Sequence, residues 1–351
     1  MPRSPAILLA LSILAGCAGS STALPPVSPE AAAFVQLPRA AGPPVVAGCQ
    51  IFPAPTTANP TGLDAFNQDI SKYPLDKNSN AIIGYFSTYN IHPDFGHEPY
   101  YGIPFNVVPY DQPKVPIKFV NYPSQSEPGP YPFPPKAEIE GMGKYPTGDR
   151  HVLVLQQGKV PGDPCTLYEV WQGVVHNGGK YWTAANGAIF HLNSTKLRPN
   201  GWTSADAAGL PIFPALIKCD EVKAGAIDHA LRITFNTTRQ GYIHPATHLT
   251  YGNTGTDLPA MGARFRLKAA FDISHFNRVS QIILTAMKKY GLFVADNGTS
   301  YYFQGQGGKE AACWNDNVLD QLKSVPGNAF EVVYTGPVLG TATSDATFLP
   351  H

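Results

Sequence analysis

Six ionisable side chains in this sequence, Asp94, Asp149, His151, Glu169, Asp206 and His229, have neighbours that suit them to chemistry. His92-Pro93-Asp94, followed by Phe95-Gly96, puts an imidazole and a carboxyl on a proline–glycine loop. Loops held by a rigid scaffold are where sites gather. Gly148-Asp149-Arg150-His151 brings an acid, a guanidinium and an imidazole into the start of a strand. There His151 can serve as a general base oriented by Asp149. Glu169 shares a strand face with Trp171. That pairing suits a sugar site, where an indole stacks on the ring and a carboxyl supplies the proton. In Trp202-Thr-Ser-Ala-Asp206-Ala-Ala-Gly209-Leu-Pro211, Thr203 or Ser204 caps a short turn that Gly209 and Pro211 end. Asp206 is then a fixed carboxylate under Trp202. In Ile227-Asp228-His229-Ala230-Leu231, strand alternation turns His229 to the same face as Ile227 and Leu231.

Each of these groups also has a plain structural use. His92 and Asp94 can tie a loop to backbone amides. Asp149 can cap a turn while Arg150 makes a surface pair, and Glu169 can be the polar position of an amphipathic strand. Asp206 can plug a loop, and His229 can be a hydrogen-bonded core residue. Other chemistries lack their signatures. His244-Pro-Ala-Thr-His248 has two histidines four apart, but Pro245 opposes a helix and the metalloprotease Glu is absent. No GxSxG elbow, phosphate loop or dinucleotide fingerprint occurs. No zinc-type CxxC spacing occurs either. No metal or cofactor is expected.

The elements that must position these groups read mostly as strands. Asn80–Phe86, Val107-Val108 and Val115–Val120 look like short strands in an irregular first part. The proline-rich stretch 121–136 reads as an extended surface loop. His151–Leu155 is a buried-strand run. Cys165–Trp171 alternates, with Leu167, Glu169 and Trp171 on one face and Tyr168 and Val170 on the other. Strand signals recur at Ala188–Leu192, Ala226–Phe235, Ala263–Lys268, Leu292–Ala295, Ser300–Phe303 and Phe330–Tyr334. The spacing of Val279, Ile282, Ile283, Ala286, Met287 and Tyr290 predicts a helix over about 278–290, stopped by Gly291. A short C-terminal helix over 317–324 follows Asp316 as its cap. The expected fold is all-β dominated, a jelly-roll-like β-sandwich with one packed helix.

Composition bounds the partners. Of 351 residues, 43% are apolar and only 14% charged, with Lys+Arg and Asp+Glu both 25. A zero net charge gives no steering toward nucleic acid or an anionic surface. Leu14-Ala-Gly-Cys17 closes an apolar run behind Arg3. It resembles a bacterial lipoprotein signal, which implies that Cys17 is acylated as the first mature residue. The expected organisation is a signal over 1–17, a flexible Pro/Ala-rich tether over 18–47 and one β-rich domain over 48–351. The lipid is then the only membrane contact, and the protein is extracytoplasmic. Cys49, Cys165, Cys219 and Cys313 remain for two disulfides, with three pairings open.

Several stretches carry a wider resemblance: Gly148–Leu155, Leu197–Pro211, Asp220-Glu-Val222, Ile227–Arg232 and Lys289–Gly298, with Ile91–Gly96 and Tyr101–Pro104 upstream. They resemble an uncharacterised family of secreted bacterial proteins. The resemblance implies a single extracellular β-rich unit and carries no activity with it.

The residues themselves point to a carbohydrate-active protein that cleaves glycosidic bonds in a polysaccharide or cell-surface glycan. Glu169 or Asp206 would be the acid, with Asp94 or Asp149 as base or nucleophile. Trp171, Trp182 and Trp202 would stack on sugar rings. A lyase version would use His229 or His151, with Arg232 neutralising a uronate. The competing expectation is a non-catalytic surface lipoprotein that binds glycan or has an envelope-structural role.

Overall fold

The computed structural model describes residues 42–340. The signal 1–17 with its Cys17, residues 18–41 of the expected tether and residues 341–351 lie outside the described residues. In chain order the strands are β1 (Val45–Val46), β2 (Cys49–Gln50), β3 (His92–Asp94), β4 (Phe105–Val108), β5 (Ile117–Phe119), β6 (Val152–Gln156), β7 (Thr166–Trp171) and β8 (Val174–His176). They continue as β9 (Tyr181–Ala184), β10 (Asn186–His191), β11 (Leu231–Phe235), β12 (Arg264–Leu267), β13 (Leu292–Asn297), β14 (Tyr302–Gln304) and β15 (Phe330–Val333). The α-helices are α1 (Ser79–Tyr85), α2 (Cys219–Ala224), α3 (Arg278–Lys289) and α4 (Asp316–Leu319).

The alternation of apolar residues explains the layers. The four-stranded sheet runs β10-β7-β6-β4. Leu153, Leu155 and Leu167 turn one way, into a large core shared with Ile233, Phe265, Val294 and Phe303 of the six-stranded sheet β15-β12-β13-β11-β14-β3. Val152, Val154, Tyr168 and Val170 turn the other way. They meet Trp182 and Ala184 of the three-stranded sheet β5-β9-β8. Each fully buried leucine contributes about 1.5–3 kcal/mol. The proline-rich stretch is more than a surface loop. Its Tyr131 and Phe133 are completely buried in this second core.

The fold is all-β dominated, as expected, but the pairings are mixed. β4/β6, β5/β9, β11/β13 and β14/β3 are parallel. The other pairings, such as β10/β7, β6/β7 and β12/β15, are antiparallel, so the sheets are mixed where a jelly roll is antiparallel throughout.

Helix α3 forms where its spacing predicts. Asn277 accepts from the Ser280 amide at 2.9 Å to cap it, and Ile282, Ile283, Ala286 and Met287 are buried. Gly291 follows in the left-handed region at φ 66°. The C-terminal helix is α4 continued as a 3-10 turn over Asp320–Ser324, with Asn315 as its cap rather than Asp316.

Two assignments change. Residues 80–86 are helix, not strand: Ser79, Ile82 and Ile83 of α1 are buried at helical spacing. A short apolar run cannot show its own period. The strand expected from Ala226 starts only at Leu231, because α2 ends at Gly225 (φ 88°) and the chain must turn before entering the sheet.

The disulfides are Cys49–Cys165 and Cys219–Cys313. Bonds of this kind persist in an oxidising, extracytoplasmic environment. Among the described residues no helix is long and apolar enough to cross a membrane.

Candidate active site

Four segments meet around one open cleft of about 330 Å³. Asp94 ends β3, and the parallel register with β14 sets Gln304 beside it. Tyr101 and Gly102 lie on the loop after β3. Glu140 and Tyr145 come from the loop before β6, and Gly148-Asp149-Arg150 leads into that strand. Gly102 must be glycine, because its φ is 98° and an added Cβ would lie 2.9 Å from the Gly305 carbonyl oxygen.

Two carboxyls in this cleft are pushed in opposite directions. Burial raises Asp94 above the usual aspartate range, while the Gln304 amide, whose Nε2 donates to Asp94 Oδ2 at 3.3 Å, pulls it back in part. Burial would raise Glu140 too, but the His151 cation and its hydrogen bonds hold Glu140 below the usual range. His151 Nδ1 donates to Glu140 Oε2 at 2.6 Å, and Nε2 donates to the Ala205 carbonyl at 3.1 Å. Both ring nitrogens face acceptors, so both carry protons. Burial opposes that charge, yet Glu140 lifts His151 to about 9. Glu140 Oε1 has no hydrogen-bond partner among the described residues, and the Glu140 side chain is 23% exposed at the cleft.

Asp149 is exposed at the cleft and accepts from Trp171 Nε1 at 3.1 Å. Arg150 stands in the left-handed region at φ 52° and donates to the Gly173 carbonyl from Nη2 at 3.1 Å.

Behind the cleft lies a buried polar chain. Arg232 Nη1 donates to Gln304 Oε1 at 2.7 Å. The other edge of the guanidinium grips Asp206, with Nε at 3.2 Å from Oδ2 and Nη2 bonded to Oδ1. Burial pushes Asp206 up against the pull of Arg232. Burial, aided by the Asp206 charge, raises nearby Asp296 to about 7.

The expected site residues therefore divide. Asp94 and Asp149 line the cleft, and Trp171 supports Asp149 from behind. His151 is held as a cation against Glu140 at neutral pH, so it has no free nitrogen with which to act as a base. Asp206 and Arg232 are buried one layer back, each occupied by the other. Glu169 is completely buried and accepts the Ile212 and Phe213 amides at 2.9 and 2.8 Å. Desolvation lifts it to about 7 against those bonds, and it does not reach the cleft.

His229 belongs to a different cluster. It sits 3.0 Å from Glu221 Oε1 and 3.4 Å from Lys218 Nζ, all three residues buried. Trp182 fills the second core and presents no face for stacking. Trp202 is half-buried with the Arg198 guanidinium 5.5 Å from its ring. The aromatic residues lining the cleft are Tyr100, Tyr101 and Tyr145, with Lys144 Nζ 4.6 Å from the Tyr100 ring centroid.

Sequence reasoning missed Glu140, Gln304, Asp296 and the tyrosines. Glu140 had a signal, an acid followed by Gly141-Met-Gly143. Gln304 had none, because its role depends on a register between strands far apart in the chain.

Among the described residues no group of three or more His, Cys, Asp or Glu is arranged to hold a metal ion. His92 instead stacks on Tyr302, ring centroids 4.2 Å apart.

No family model, curated protein or solved structure matches this chain.

Proposed function

We propose that this protein is an extracytoplasmic, lipid-anchored enzyme that cleaves glycosidic bonds in a polysaccharide, with Asp94 as general acid and Glu140 as the ionised partner. The observation that carries this reading is the pair of carboxyls on one cleft whose surroundings drive them apart, Asp94 up and Glu140 down. Such a split assigns acid and base roles. Asp94 gives its proton to the leaving oxygen. Glu140, kept charged by His151, faces the positive charge that grows at the anomeric carbon, as nucleophile or as base toward water. Asp149 would accept hydrogen bonds from sugar hydroxyls, and Tyr101 and Tyr145 would contact the sugar from the cleft wall. The acid role expected of Glu169 or Asp206 thus passes to Asp94. The lyase version loses support, since Arg232 is already spent on Asp206 and Gln304. The anchor rests on Leu14-Ala-Gly-Cys17 and its resemblance to a lipoprotein signal.

The test is a polysaccharide panel read by reducing ends and by ultraviolet absorbance of unsaturated products. Wild type should release reducing ends, and Asp94→Asn and Glu140→Gln should each lose about 10²–10⁴-fold. Wild-type rates in both variants sink the assignment. Tight glycan binding without any cleavage would instead make the protein a surface-bound lectin-like module.

A further inference from the structure

We propose that Gln304 is a positioning residue for Asp94, and that the buried Arg232–Asp206 pair locks its amide with the NH2 group facing that carboxyl. The proposal rests on Asp94 being the acid of the cleft. A guanidinium only donates, so the group it meets must accept. Arg232 Nη1 lies 2.7 Å from Gln304 Oε1, which fixes the amide oxygen inward. The amide nitrogen is then left for Asp94 Oδ2, at 3.3 Å. A flipped amide would set NH2 against the guanidinium and leave buried donors without acceptors, which is costly.

Arg232 cannot swing to relieve such a clash. Asp206 holds its Nε and Nη2 edge. Gln304, Arg232 and Asp206 are 5%, 3% and 0% exposed, so these bonds are largely shielded from solvent. The backbone agrees with the side chains, because the β14/β3 register already puts residue 304 opposite residue 94. The result is a donor of fixed direction and no net charge behind the acid. It aims Asp94 at the cleft and offsets part of the burial that favours its protonated form.

The experiment uses the full chain with carbon-13 carboxyl-labelled aspartate. Asp94 is identified by its loss in Asp94→Asn and titrated by NMR. Gln304→Met keeps the side-chain length, adds no charge and leaves Arg232 a weak thioether acceptor, but it has no N–H for Asp94. The Asp94 midpoint should rise by about one pH unit. The alkaline limb of kcat/KM should move with it, since an acid must be protonated to act. Gln304→Leu should shift Asp94 the same way and leave Asp149 in place.

The double variant Arg232→Met/Asp206→Leu removes the buried charges together, so the interior stays balanced. It frees the amide and should also raise the Asp94 midpoint, and the rise should vanish when residue 304 is already Met, which separates the lock from the direct field of Arg232 on Asp94. An unmoved midpoint in Gln304→Met overturns the positioning role, and an unmoved midpoint in the double variant overturns the lock. If Gln304→Leu does not fold, Gln304→Met decides alone. Full activity in Asp94→Asn defeats the acid assignment and is read separately from the titration.

Discussion

Replacing His151 by glutamine should change how the stability of this protein depends on pH. His151 is buried at 4% exposure and stands at about 9 in the folded state, against 6.5 for an ordinary imidazole. A folded value raised in this way means that the proton stabilises the fold. Below about pH 6.5 both folded and unfolded chains carry it, and the contribution is complete. Between there and about pH 9 the unfolded chain releases its proton while the folded one keeps it, so stability falls. Above about pH 9 both are neutral and the contribution is gone. The difference of 2.5 pH units between those two values corresponds to about 3 kcal/mol. Denaturant unfolding of wild type and His151→Gln, followed from about pH 6 to about pH 9.5, measures it. The gap between the two proteins should narrow by about 3 kcal/mol across that range. Burial also lifts Asp296 and Glu169 to about 7. The His151 charge pulls both down in part, so His151→Gln raises them further, and the gap reports the imidazole together with the carboxyls it faces. A gap that stays constant with pH would refute a charged His151 and, with it, the reason for an ionised Glu140.

Trp171→Phe removes the donor that holds Asp149. Glycan cleavage should fall about ten-fold, chiefly through KM, with unfolding midpoints nearly unchanged. Leu155→Ala opens a cavity at a fully buried position between the two larger sheets. It should cost about 2–5 kcal/mol in denaturant unfolding, whereas Val107→Ala, at an exposed site, should stay within about 0.5 kcal/mol.

The strands were legible where one rule sufficed. In Cys165–Trp171 the alternation alone sorts Leu167 into one core and Tyr168 and Val170 into the other, as the structure has them. Helix α3 was legible because its apolar stripe spans three turns. Residues 80–86 were misread because one short apolar run fits either period, and tertiary burial of Ile82 and Ile83 decides it. Among the cleft residues, Asp94 and Asp149 were visible because each stands beside turn-forming neighbours. Glu169 and Trp171 looked like a sugar site because their shared face was read correctly. That face is the molecular core, so Glu169 meets amides there instead of solvent. His229 lies outside the strand assumed for it and is satisfied by Glu221. Glu140 and Gln304 become meaningful only through partners distant in sequence, His151 and Arg232. No local pattern records such partners.

Cys49–Cys165 has a mechanical consequence. The bond spans 116 positions and leaves Asp94, Glu140, Asp149 and His151 all within the ring it closes. A pull on the chain ahead of Cys49 passes through sulfur to the threshold of β7 and bypasses the backbone in between. A protein tugged by its leading end would thus carry the load along a covalent shortcut, with the cleft carboxyls in the slack.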